Sequence, residues 1–571
     1  MSQLNFSNLT SEYINDFLES YLKSSKEFND NLTVLSNTNL SWNSYIQKEL
    51  DFDAGWADKL TVFEMSSFHS DEVVRNACHE CETKLSEFGI EQSMRRDLFA
   101  KFKHYYYNQF QTEKQSMTGE RVRYIEEAMK SYRMNGLELD DEKYERVKEL
   151  KKQISTHSIN FSQNLNNYNK EFILTKEQLT EMTDSWLSAR ETLDSMYRIS
   201  LKYPDYVPVM ERCSNRETRK IMSEEFNKRC YDENKPIIEC IFKLRNDLAR
   251  EFGFELYSDY KLQNRMAKNT QNVMEFLSDI KIKIKPVLES DYKKLLNIAR
   301  LDGINTFDDL KPYDLTYYSR IYTEKESELD MEKVKQYFPL DQIIKGTFDI
   351  YETILGLKFI NVSVEHSASF WHPDVMLYKA INTEDNSTQG EFYLDLHPRT
   401  GKYGHAAVFP IKRGNLKAHP ICIMACNFPK DDNLSFDDIV TFFHEFGHVM
   451  HGITSRPELS SMSGTSVSRD AVECPSQMLE EWCYRAPSLK VLAPDLLDDV
   501  IEKLIKQKNM LQGYFNARQL GLCFIDIIQK SILNCIKQIN KYSYILFILF
   551  KDFYITCWFL RTSQGYSFWI K

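Results

Sequence analysis

The chain has 571 residues and a mass of 67.5 kDa, far beyond the length at which a single core becomes marginal, and length alone suggests about four domains. A formal net charge of −11 and a pI near 5.7 exclude a general phosphate-binding surface, because nucleic-acid affinity rests on Lys and Arg neutralising phosphates. Gly at 18 and Pro at 15 fall well below their ordinary shares of about 7% and 5%, so turns are scarce and a mainly α fold is expected.

The first twenty residues carry Glu12, Asp16 and Glu19 and lack the basic start and apolar stretch of a secretory signal. The 12 cysteines are scattered rather than packed into a framework, which fits reduced thiols in the cytoplasm. Cys78 and Cys81 form a lone C-x-x-C with no second pair to complete four metal ligands, so they read as thiols without a function. Residues 1–140 are read as an N-terminal helical segment and residues 141–350 as a helical wall. From Leu139 to Tyr168, Val147, Leu150, Ile154, Phe161, Leu165 and Tyr168 recur every three or four positions over most of the stretch, predicting one long amphipathic helix. His157 lies on that seam and reads as a hydrogen-bonded core residue. Helical spacing continues through Ile237 to Phe252 and Val273 to Ile298, where Pro286 is expected to kink or split the helix.

Residues 351–525 are read as the catalytic region, and between Leu357 and Cys426 the texture changes. Short β-prone runs at Lys358 to Val364, Val375 to Ala380, Phe392 to Leu396, Ala406 to Phe409 and Ile421 to Cys426 predict a small antiparallel sheet. Directly after it, Ser435 followed by Asp437 and Asp438 signals the start of a helix running to Met450.

Three of the chain's 12 histidines fall in Phe443-His444-Glu445-Phe446-Gly447-His448-Val449-Met450-His451. On a helix His444 and His448 stand one above the other, so two imidazoles converge on one tetrahedral ion. Glu445, turned about a quarter of the way round, sits close to the ion without being a ligand, where a carboxylate moves protons between activated water and a leaving amine. The third ligand is sought in Asp470-Ala471-Val472-Glu473-Cys474-Pro475-Ser476-Gln477-Met478-Leu479-Glu480, which follows a Ser-, Gly- and Thr-rich loop. Glu473 is the candidate, because two His, one Glu and an open position make a catalytic zinc set. Glu480 and Glu481 are its rivals and read as a solvated face. Asp470 is a candidate for orienting a zinc-bound histidine, and His451 is expected to pack or support rather than ligate.

TFFHEFGHVMH and SGTSVSRDAVECPSQMLEEW closely resemble the thimet oligopeptidase and neurolysin family of zinc peptidases. So do residues 132–155, 259–269, 337–340, 371–378 and 390–407, in family order, and the resemblance spans about residues 90 to 525. It implies one Zn2+ held by His444, His448 and Glu473, with Glu445 catalytic. It also implies two helical halves around a deep substrate channel, which admits only short peptides, with the small sheet next to the zinc helix. The segment from Tyr403 to Phe409 is expected to supply an edge strand for an extended peptide, with His405 in that strand either contacting substrate or serving as a plain structural histidine. The expected partners are short peptide substrates, with no nucleic acid and no membrane, and the chain is read as a monomer.

After about Phe524 the resemblance stops. Residues 526–571 read as a non-family tail of translated non-coding sequence or an unusual splice form; its apolar runs at 544–550 and 553–560 raise the rival reading of a membrane anchor, against which each run is too short to span and Lys551 and Asp552 lie between them. The expected function is a zinc metalloendopeptidase cleaving short peptides by zinc-activated water with a glutamate base, impaired by loss of the C-terminal segment. The alternative is a zinc- and peptide-binding protein with little or no catalysis.

Overall fold

A computed structural model describes residues 5–529 apart from Leu193 and Asp431, so the expectations for the tail and for an anchor in it lie outside the described residues. The described chain is mainly helical and divides into two compact units: residues 5–139 with Asp330–Glu502, and Asp140–Leu329 with residues 503–529. Among the described residues no helix is long and apolar enough to cross a membrane.

The Asp140–Leu329 unit is built on long helices. Asp140 caps the helix Asp141–Asn167 by accepting from the Lys143 N–H, and that helix packs its Val147, Leu150 and Phe161 seam beside Tyr231–Glu251. His157 is on the same side, with its Nε2 3.4 Å from Cys240 Sγ. A two-stranded antiparallel ribbon, β1 (Glu171–Leu174) and β2 (Tyr197–Ser200), follows. Thr270–Ala299 is one continuous helix, so Pro286 does not split it. The proline is exposed, where water can satisfy the carbonyl it deprives of a partner. Leu277, Leu288, Leu295 and Leu296 stay buried on either side of it, and the helix packs along Gln512–Gln529.

In the other unit, the helices Ser11–Thr33 and Glu72–Ser93 share a core with the larger sheet: Phe6, Ile14, Leu18, Phe68 and Val74 pack with Trp371, Leu377, Tyr393 and Ile423. Cys78 and Cys81 are both buried in this core, and burial pushes the Cys78 thiol up to about 12, which leaves it inert.

The sheet contains β3 (Leu357–Asn361), β4 (Met376–Asn382), β5 (Thr388–Asp395), β6 (Ala407–Lys412) and β7 (Ile421–Ala425), in the order β3-β4-β5-β7-β6. Each strand lies within a few residues of a β-prone run. The pairing is mixed rather than wholly antiparallel, because β7 enters between β5 and β6 and runs parallel to β5, with Phe392 opposite Cys422. The other three pairings are antiparallel, and β6 is left at an edge.

The connection from β5 to β6 is fixed by a buried charge. Asp395 accepts hydrogen bonds from Trp371 Nε1 (2.8 Å) and both Arg399 terminal nitrogens (2.7 Å each), and Lys402 Nζ lies 2.9 Å away. Burial works to raise its pKa, but Arg399 and Lys402 outweigh that and hold the carboxyl below its ordinary range. The turn then docks on the N-terminal helices, with the Tyr403 N–H donating to the Ser67 carbonyl.

Candidate metal centre

The helix Phe436–Ile453 starts at a complete capping box: the Asp438 N–H donates to Ser435 Oγ, and the Ser435 N–H donates back to Asp438 Oδ2. Its inner face is apolar. Phe446 meets the rings of Phe348, Phe359 on β3 and Phe392 on β5 at centroid distances of 5.3, 5.5 and 5.4 Å. Tyr351 Oη donates to the Phe443 carbonyl from the neighbouring helix Leu340–Leu355. Gly390 of β5 lets the sheet close on the helix end, since a Cβ there would lie 2.7 Å from Ile453 Cβ. This packing leaves the helix little freedom to rotate, and so fixes where its histidines point.

His444 and His448 lie one turn apart with ring centroids separated by 5.0 Å. The chain then loops back, and the helix Cys474–Glu480 packs beside Phe436–Ile453 with Glu473 as its cap residue. Gly447, between the two histidines, makes this approach possible: a Cβ there would stand 2.8 Å from Ser476 Cα, a backbone atom that cannot swing aside. Glu473 Oε2 thereby comes within 3.3 Å of His444 Nε2 and 3.1 Å of His448 Nε2. Ser476 Oγ donates to the same carboxylate oxygen at 2.9 Å and holds the side chain in place. The donor atoms of His444, His448 and Glu473 all lie within 4.8 Å of one another, and among the described residues this is the group of three or more His, Cys, Asp or Glu side chains that could hold a metal ion. Two imidazole nitrogens and one carboxylate oxygen fit a catalytic zinc ion.

Glu445 is buried on the same helix and outside that donor group. Burial pushes its carboxyl up to about 7, with His444 opposing and Glu473 adding to the shift. Burial also depresses His448 and His451, which favours neutral imidazoles.

The remaining sequence candidates are placed differently from expectation. His405 is not in β6 but exposed in the bend ahead of it, where its carbonyl accepts from Asn427 Nδ2 at 3.0 Å. Asp470 is exposed on the loop before the return helix, and the carboxylate on His444 Nδ1 is Glu480, at 3.1 Å. The expectation of a solvated face at Glu480 missed this, as it missed Ser476 and the packing role of Gly447. The signal was available: Glu473, Ser476 and Glu480 stand at i, i+3 and i+7, on one face of a helix.

Residues 209–541 match the sequence model of peptidase family M3, reaching past the position near Phe524 where the resemblance read from the sequence stops. The chain is similar to the thimet-like oligopeptidase of Dictyostelium discoideum, with 35% identity over 491 residues, covering 81% of this chain and 72% of that one. It is 34% identical over 541 residues to saccharolysin of Saccharomyces cerevisiae, covering 89% and 75%. It is 30% identical over 437 residues to oligopeptidase A of Escherichia coli, covering 70% and 63%.

Proposed function

The chain belongs to peptidase family M3, and we propose that it is a zinc metalloendopeptidase of the oligopeptidase type that cleaves short peptides with Glu445 as general base. The observation that carries this reading is that Glu473 Oε2 meets Nε2 of both His444 (3.3 Å) and His448 (3.1 Å), with ligand atoms of all three residues within 4.8 Å of one another and the buried Glu445 next along the helix from His444. Those three atoms would hold the ion. Zinc bound there would polarise a peptide carbonyl and make water a better nucleophile at neutral pH.

The chain's own groups do the rest. Glu445 takes a proton from the attacking water and gives it to the amine that leaves, and its place on the histidine helix, beside the three donor atoms, suits both transfers. The apolar wall of the histidine helix keeps bulk water from the back of the site. β6, packed beside that helix at the sheet edge, is suited to align an extended peptide backbone by strand addition, which favours short unfolded substrates. We assign the protein to the cytoplasm, on its scattered cysteines, and treat it as a monomer.

The test is zinc content and turnover of an internally quenched peptide, measured on one purified sample and on Glu445→Gln. One zinc per chain with turnover that Glu445→Gln abolishes is the expected result. Zinc without turnover in the wild type would leave a zinc- and peptide-binding protein, and turnover that survives chelation would overturn the reading.

A further inference from the structure

We propose that Glu480 is a positioning residue for the metal centre, fixing the tautomer and the orientation of His444 so that its Nε2 lone pair faces the ion. The proposal rests on the zinc reading above. His444 is gripped at both ring nitrogens by one short helix: Glu480 Oε2 lies 3.1 Å from Nδ1, and Glu473 Oε2 lies 3.3 Å from Nε2. The two carboxylates are seven residues apart, two turns of the helix Cys474–Glu480 and its cap, so they stand on one face and straddle the ring. A neutral imidazole carries one N–H, and a carboxylate only accepts. Both ring nitrogens of His444 face a carboxylate, and an ion at Nε2 would need that nitrogen's lone pair, so with the ion bound the hydrogen would sit on Nδ1, where Glu480 accepts it.

The same geometry separates Glu480 from the ligands. Its oxygen is on the Nδ1 edge of the ring, whereas Glu473 Oε2 lies against Nε2 of both histidines, and Glu480 is outside the group that could hold an ion. Glu480 would have to pass His444 to reach that group.

His448 supplies the contrast. Its Nδ1 is buried and has no hydrogen-bond partner among the described residues, and its side chain is 10% exposed against 25% for His444. Packing holds His448, while the more exposed His444 needs a hydrogen bond to stop its ring rotating. A carboxylate acceptor also makes the imidazole a stronger donor to the metal. The removal of Glu480 therefore acts through His444 alone.

The experiment titrates the full metal-free chain with zinc against a chelator of known affinity, and records the visible spectrum of the cobalt-substituted protein. Loss of a group that supports a ligand lowers metal affinity by about 10- to 100-fold, which is the expectation for Glu480→Ala, with an altered cobalt spectrum. Glu480→Gln keeps an acceptor for Nδ1–H without the charge. It should recover part of the affinity and most of the wild-type spectrum, with thermal unfolding of the metal-free protein unchanged. Wild-type affinity and spectrum in Glu480→Ala overturn the proposal. So does a Glu480→Ala protein as poor in zinc as Glu473→Ala with no rescue by Gln, because that is a ligand's behaviour. Should Glu480→Ala fail to fold, Glu480→Gln decides alone: affinity and spectrum both equal to wild type overturn the proposal. His444→Ala is the separate control, since zinc held at wild-type affinity there removes the metal centre itself and not only the role of Glu480.

Discussion

The candidate metal centre and the N-terminal helices of the same unit each contain a carboxyl pushed far up by burial. Glu445 is raised to about 7, and Glu82, on the helix Glu72–Ser93, to about 8. Burial is the larger cause at both, and a neighbouring carboxylate adds to it: Glu473 at one, Glu64 at the other. The surroundings differ. Glu82 accepts from Ser66 Oγ at 3.0 Å, has the exposed His79 ring 3.7 Å away, and lies a turn from the inert Cys78. Glu445 stands beside two histidines and a carboxylate whose donor atoms converge on one point. Desolvation makes a carboxyl that holds its proton near neutral pH, and the neighbouring electron-pair donors decide whether that proton has chemistry to serve. A raised pKa by itself does not mark a site.

The largest test of that distinction is the pair Glu445→Gln and Glu82→Gln. Hydrolysis of a short peptide should fall by about 10²- to 10⁴-fold in the first, with zinc retained, and stay at the wild-type rate in the second. Equal losses in both, or none in the first, would erase the difference between the two regions. Next in size, Glu473→Ala should weaken zinc binding by more than the roughly 100-fold that loss of a supporting group can cause, as read by chelator competition. Glu445 would then be as idle as Glu82.

A smaller effect should come from Gly447→Ala, which keeps every donor and pushes the two helices apart. The new methyl meets Ser476 backbone, so unfolding free energy should drop by about 1–3 kcal/mol and zinc affinity should fall with it. Gly404→Ala, where a Cβ meets nothing within 4 Å, should change neither. Unaltered zinc affinity in Gly447→Ala would show that Glu473 reaches the histidines without the close approach.

The smallest effect is a slope. Glu82 has an ordinary value of 4.5 and a folded value of about 8, so as pH rises the unfolded chain releases this proton first. Between those values the native state holds more protons than the unfolded state, and stability falls with rising pH until it levels above about 8. The contribution is fully present below 4.5 and lost through the folded value. Urea unfolding at a series of pH values should show this fall in the wild type and a flatter profile in Glu82→Gln. An identical slope in both would remove Glu82 as its source.

Much of this arrangement is legible in sequence because it is local. The histidine spacing, the Ser435 cap and the alternation around Phe392 are each set within a few residues, and the five strands and the histidine helix form where those patterns lie. Partnership is not local. Nothing in Ile421–Ala425 says that it will enter between β5 and β6, because the pairing depends on the turn that Asp395, Arg399 and Lys402 bury. Glu480 was misread for the same reason: its sequence neighbours Glu481 and Trp482 are exposed, and only the docking of the helix against His444 gives it a partner. The bend at His405 follows from the Asn427 side chain, which captures the carbonyls of Tyr403 and His405 from beyond β7. Pro286 stayed within a helix because tertiary packing on either side outweighed one missing hydrogen bond.

The core that joins Phe6, Ile14, Leu18 and Phe68 to Trp371, Tyr393 and Ile423 spans a long insertion, Asp140–Leu329. On the ribosome, the early helices emerge with their apolar faces made and their partners not yet translated. At about 5–20 residues per second, that wait lasts on the order of tens of seconds, longer than the collapse of a helical segment by many orders of magnitude. Inserted helices that pack on one another, such as Asp141–Asn167 on Tyr231–Glu251, can consolidate during the delay, whereas Thr270–Ala299 also waits for Gln512–Gln529, and the flanking segment remains adhesive. Synthesis of this protein therefore depends on whatever shields a nascent chain, and that demand is greatest before the residues of the metal centre have been made.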